Sequence, residues 1–205
     1  MRPDPLLDRF CHELRDNHGC HSLILYGSRA REDATPASDY DLVGIREAGD
    51  AVRDARLVDG VYLDAFIYPE AKILAPDASL IHVRTGKVIF EKGQMATLFL
   101  QRLQEIFEAG PPIFSADEVQ ARRMWARKMV GRARQGDLEG NFRRVWLLTA
   151  LLEDYFVLRG EWYLGPKESF RFLSAERPTI YGLFEAALAG DADMSAIEAL
   201  VRGCE

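Results

Sequence analysis

The sequence predicts an α/β (α+β) domain with a small mixed sheet, followed by an all-α helical bundle. Two observations carry this. Up to Gly93, apolar runs of strand length alternate with turns and short helices. Beyond it, apolar residues recur at helical spacing in segments broken by Gly, Pro and Asp. The boundary is therefore expected near residue 93, with a first domain over 1–93 and a helical domain over 94–205.

Leu6, Leu7, Phe10 and Leu14 place a helix over 4–17, ended by His18-Gly19. Residues 21–26 read as a strand, 28–33 as a short helix and 34–38 as a turn containing Pro36. Further strands are expected over 40–46 and 61–68, then a short helix in "ASLIHVRTG" and a last strand in "KVIFE". "MATLFLQRLQEIFEAG" is amphipathic at helical period. Ser115 opens a long helix with Asp117 and Glu118 in its first turn, where carboxylates suit the helix dipole. Helices over 138–159, 167–175, 179–189 and 193–202 complete the pattern.

The chain has 205 residues and a net charge of −6, which disfavours a general nucleic-acid binder. No run reaches the length of a membrane span, and the charged N-terminus does not read as a signal peptide, so a soluble, cytoplasmic protein is expected. Nothing in the sequence sets an oligomeric state. Three cysteines do not make a disulfide framework. Cys11, His12, His18, Cys20 and His21 cluster without the paired spacing of a zinc site. Gly131 and Gly136 have P-loop spacing, but Asp137 stands where a lysine is needed.

The chemistry concentrates in "LILYGSRAREDATPASDYDLVGI". Side chains two apart on a strand share a face, so Asp39 and Asp41 come together if 39–45 is extended. Two adjacent carboxylates repel unless a cation joins them. Magnesium suits such a site, since it takes one or two carboxylates and completes its shell with water and phosphate oxygens. Gly27-Ser28 ends the preceding strand. Glycine there permits close backbone approach, a helix starting after it would aim N–H groups at an anion, and Ser28 adds a hydroxyl. Asp64 stands alone in the apolar run "VYLDAFIY". If that strand neighbours 40–46, Asp64 joins the pair as a metal ligand or general base. The plainer alternatives are Asp39 capping a turn, Asp41 facing solvent and Asp64 on a wet edge strand.

"GSRARED-ATPA-SDYDL", Gly27 to Leu42, resembles the GSxARG…SDxDL signature of the nucleotidyltransferase superfamily, with its DNA polymerase β-like fold. The resemblance implies that Asp39 and Asp41 bind metal and that Asp64, as third acid, assists metal binding and deprotonation. It implies attack on the α-phosphate of a triphosphate with loss of pyrophosphate. Glu32 departs from the family pattern, which has glycine there. "RGEWYLGPKESFRFL", Arg159 to Leu173, is similar to the helical domain of small bacterial nucleotidyltransferases, which implies that Lys167 reaches the triphosphate.

The resulting expectation is transfer of a nucleoside monophosphate, AMP from ATP, to a hydroxyl of a small-molecule or protein acceptor. One or two Mg²⁺ ions and a nucleoside triphosphate serve as cofactor and co-substrate. Gly27 and Ser28 take the β- and γ-phosphates. The alternative is an antitoxin-like module that binds a toxin partner. In the helical half, Arg122, Arg123, Arg127, Lys128, Arg132 and Arg134 read as a solvated helix face, or as a wall attracting anions. Glu153 and Asp154 read as solvated carboxylates, or as a site for a cationic acceptor. Trp125, Phe142, Trp146, Tyr155 and Phe156 read as helical core.

Overall fold

The protein is described by a computed structural model covering residues 4–31 and 34–205; Glu32 lies outside the described residues. It divides into two compact units, Met1–Ala109 and Gly110–Glu205.

The first unit opens with α1, Pro5–His18. The Asp4 side chain accepts from the Leu7 N–H, and Gly19 closes the helix in the left-handed region. Next come β1, Ser22–Tyr26, a single turn α2, Gly27–Ala30, and β2, Tyr40–Arg46. An unforeseen strand follows, β3, Val52–Val58. Its Arg53, Asp54 and Arg56 break the apolar pattern, as suits the charged edge of a sheet. Asp59 and Gly60, both at positive φ, turn the chain into β4, Val61–Pro69. The unit ends with α3, Glu70–Leu74, a 3-10 turn over Ala78–Val83, β5, Lys87–Phe90, and α4, Met95–Ala109.

The five strands form one mixed sheet in the order β3-β4-β2-β1-β5. Only the central β2–β4 pair is parallel. One sheet face packs Leu23, Leu25, Leu42, Leu63, Ala65 and Ile67 against Leu7, Phe10 and Leu14 of α1. The other packs Ile24, Tyr26, Val43 and Ile45 against Ile73, Val83, Phe99 and Leu103. The alternation of β1 and β2 thus feeds two cores.

This corrects the expected boundary near residue 93. Ala96, Phe99 and Leu103 of α4 are fully buried in the core of the sheet, so α4 belongs to the first unit and the division falls after Ala109. Phe99→Ala is expected to destabilise the protein by about 3–5 kcal/mol, the usual cost of emptying a buried phenylalanine site. Urea unfolding followed by far-UV circular dichroism measures it.

The second unit is all helical: α5, Ala116–Ala133; α6, Leu138–Val157; α7, Pro166–Glu176; α8, Pro178–Leu188; and α9, Met194–Cys204. Ser115 and Glu118 form a reciprocal capping box at the start of α5. Leu147, Leu151, Tyr155, Phe156, Phe184 and Leu200 are among its buried core. Two aromatics expected there are not: Phe142 is 65% and Trp146 46% exposed.

The basic face of α5 leaves Arg127, Lys128 and Arg134 exposed, and three of its arginines are ion-paired. Arg122 pairs with Asp154, Arg127 with Glu205 and Arg134 with Glu198. Asp154 is correspondingly buried rather than solvated. It and Arg122 line a cavity of about 340 Å³ with Trp125 and Trp146. Closed on Arg122, Asp154 is a structural counter-ion, not a carboxylate held ready for a cationic acceptor.

Candidate functional site

Tyr26, Asp41 and Asp64 stand across three adjacent strands. Tyr26 is the register partner of Asp41, and Asp41 is the register partner of Asp64 across the parallel pair. Directly paired residues share a face, so both carboxylates project on the side that carries Ile24, Val43 and Ile45 further along. They lie at one end of the sheet face, where the carboxylate of Asp64 is still 27% exposed.

Gly27 explains how Asp41 is accommodated. It opens α2 at φ 68°, a conformation that favours glycine. A β-carbon there would lie 2.9 Å from Cγ of Asp41 and closer still to Oδ2. The space that glycine leaves is thus filled by the Asp41 carboxylate. The sequence reading has the Gly27 backbone approaching a ligand closely. It also expected a helix over 28–33 aiming N–H groups at an anion; α2 is a single turn, too short for aligned peptide dipoles to accumulate. Ser28 is buried just beyond Gly27.

Asp39 precedes β2 and is exposed. Its place is set through the backbone. Arg29 donates from Nε to the carbonyls of Ser38 and Asp39, at 2.9 and 3.2 Å, and from Nη2 to Ser38 at 2.6 Å. The same guanidinium lies 3.8 Å from the centre of the Tyr40 ring. Tyr40 is buried and donates to the Asp4 carboxylate, fixing the start of β2 against α1. Among the described residues no three His, Cys, Asp or Glu side chains group to hold a metal. Register sets Asp41 beside Asp64, while Asp39 lies just before the first residue of β2.

Arg53, which sequence reasoning missed, completes the site. It lies on β3 opposite Phe66, with Asp64 opposite Ala55. Its Nε donates to Oδ1 of Asp64 at 2.7 Å and its Nη2 to Oδ2 at 2.8 Å, a bidentate fork. The pairing raises the guanidinium pKa further, chiefly through these hydrogen bonds. On the other flank, burial and then the negative charges of Asp41 and Asp64 push the Tyr26 phenol up, so it stays protonated.

A divalent cation fits this donor set as a partial site. Two carboxylates in register, one lodged over Gly27, suit Mg²⁺ that draws its remaining oxygens from water and phosphate. Lys167 is exposed at the second position of α7, in the second unit. Cys11, Cys20 and Cys204 are free and buried. Burial raises the pKa of all three thiols, Cys20 to about 11 and Cys204 to about 12. Ellman's reagent at pH 8 is expected to leave the folded protein essentially unlabelled and to titrate three thiols once it is denatured. Rapid labelling of the folded chain would contradict this.

No family model matches the sequence, and no curated protein matches it. Among solved structures, the chain is similar to a nucleotidyltransferase-like protein from Exiguobacterium sibiricum. The two are 14% identical with a TM-score of 0.46, over 97% of this chain and 73% of the other. Among the described residues no helix is long and apolar enough to cross a membrane.

Proposed function

We propose that this chain is a Mg²⁺-dependent nucleotidyltransferase that moves a nucleoside monophosphate, AMP from ATP, onto a hydroxyl of a small-molecule or protein acceptor. The observation that carries the reading is the register of Asp41 with Asp64, with Asp41 seated over Gly27 at the end of β1. The resemblance of Gly27–Leu42 to the superfamily signature points the same way.

In this reading Asp41 and Asp64 hold the cation, and Asp39 adds its charge at the rim. A bound Mg²⁺ supplies charge neutralisation at the α-phosphate and the leaving pyrophosphate. Ser28 and the main chain of Gly27 bind the β- and γ-phosphates. The acceptor hydroxyl oxygen attacks the α-phosphorus, the bond to the β-phosphate oxygen breaks, and pyrophosphate leaves. An Asp64 lone pair not engaged by the cation takes the hydroxyl proton. Tyr26, protonated, adds no further negative charge beside the two carboxylates.

The test is incubation of the purified protein with Mg²⁺ and each of four α-labelled nucleoside triphosphates, with and without candidate hydroxyl acceptors. Binding of a triphosphate that requires Mg²⁺, with label transferred to an acceptor, is the expected result. Absence of any Mg²⁺-dependent triphosphate binding overturns the proposal.

A further inference from the structure

We propose that Arg53 is a latch on the cation site: its guanidinium occupies Asp64 while no divalent cation is bound, and it must withdraw for one to bind. This rests on the reading of Asp41 and Asp64 as that site. Both Asp64 oxygens accept from the Arg53 fork, at 2.7 and 2.8 Å. A cation bridging Asp41 and Asp64 draws on those same oxygens. It also brings two positive charges up to a third, and like charges at such range repel. The latch and the cation are therefore alternative partners of one carboxylate.

The surroundings allow the exchange. The Arg53 side chain is 58% exposed on the edge strand β3, so its departure uncovers no core. While it holds Asp64 its guanidinium carbon lies 5.0 Å from the centre of the Phe66 ring, a contact on the same face that does not draw on the carboxylate. A released guanidinium fork also matches a phosphate oxygen pair. Cation and triphosphate then favour each other's binding: one takes Asp64 from Arg53, and the other takes Arg53 from Asp64. The site discriminates against a bare cation and for a cation arriving with an anionic ligand.

The test is Mn²⁺ binding without nucleotide, followed by the loss of the free-ion electron paramagnetic resonance signal. Wild type, Arg53→Gln and Asp41→Asn are compared, with Asp41→Asn also placed in the Arg53→Gln background. Arg53→Gln is expected to bind Mn²⁺ about tenfold more tightly than wild type, the effect of removing one nearby charge at a partly exposed site. Asp41→Asn is expected to remove that binding in both backgrounds. Equal or weaker binding by Arg53→Gln, still lost with Asp41→Asn, overturns the latch and leaves the cation site standing. Binding indifferent to Asp41→Asn in both backgrounds, or no binding in either, overturns both. Should Arg53→Gln not fold, Arg53→Met keeps the aliphatic stem and carries the same comparison.

Discussion

Asp41→Asn is expected to lower the affinity for Mg²⁺-triphosphate by about a hundredfold while leaving the fold intact. Asparagine matches aspartate in shape, so the seat over Gly27 and the strand register are preserved. What changes is charge. One of the two carboxylates that face each other across β2 and β4 becomes neutral, and a hard divalent cation loses its preferred ligand type. A direct contact between unit and double charges is worth several kcal/mol even when heavily screened, and about 2.7 kcal/mol corresponds to a hundredfold. Turnover should fall by at least as much, because stabilisation of developing phosphate charge depends on the same ion. Isothermal titration of a non-hydrolysable triphosphate with Mg²⁺, beside a thermal unfolding curve, separates loss of site from loss of fold.

Gly27→Ala is expected to damage the fold and the site together. Two costs coincide. An L-residue at φ 68° loses about 1–2 kcal/mol from backbone strain. The new β-carbon also falls inside the Asp41 carboxylate, which must rotate or move away with its strand. Asp41 sits at the junction of β1, β2 and β4, so displacement propagates to Tyr26 and Asp64, its register partners. Unfolding in urea should show a loss of about 2–4 kcal/mol, and Mg²⁺-triphosphate binding should disappear along with it. Gly19→Ala is the control. It replaces another glycine at φ 68° with open space around its would-be β-carbon, and should cost only the backbone share.

The parts of the site legible in the sequence were those fixed by periodicity. Alternation placed Asp41 on one face of a strand, and the strand reading of 61–68 brought Asp64 beside it. What eluded the sequence depended on pairing between segments. β3 was missed because Arg53, Asp54 and Arg56 interrupt its apolar pattern, although Asp59-Gly60 before an apolar run is a hairpin signal. With β3 went Arg53 and its hold on Asp64. Asp39 follows the alternation of β2, but strand pairing begins only at Tyr40, leaving Asp39 on the approach to the sheet. That the Asp41 carboxylate takes the space beside Gly27 is a contact between strands, which periodicity does not carry. The same limit moved the unit boundary. The helical period of α4 is plain, but its packing on Ile24, Val43 and Ile45 is a long-range fact.

The account stands on Asp41 and Asp64 sharing one divalent cation. The most direct test is a crystal grown with Mn²⁺ and a non-hydrolysable ATP analogue, measured at a wavelength where manganese scatters anomalously. The account predicts an anomalous peak in contact with both carboxylates and the triphosphate, with the Arg53 fork withdrawn from Asp64. A triphosphate bound away from β2 and β4, or no manganese at the pair while Arg53 keeps both Asp64 oxygens, would contradict it.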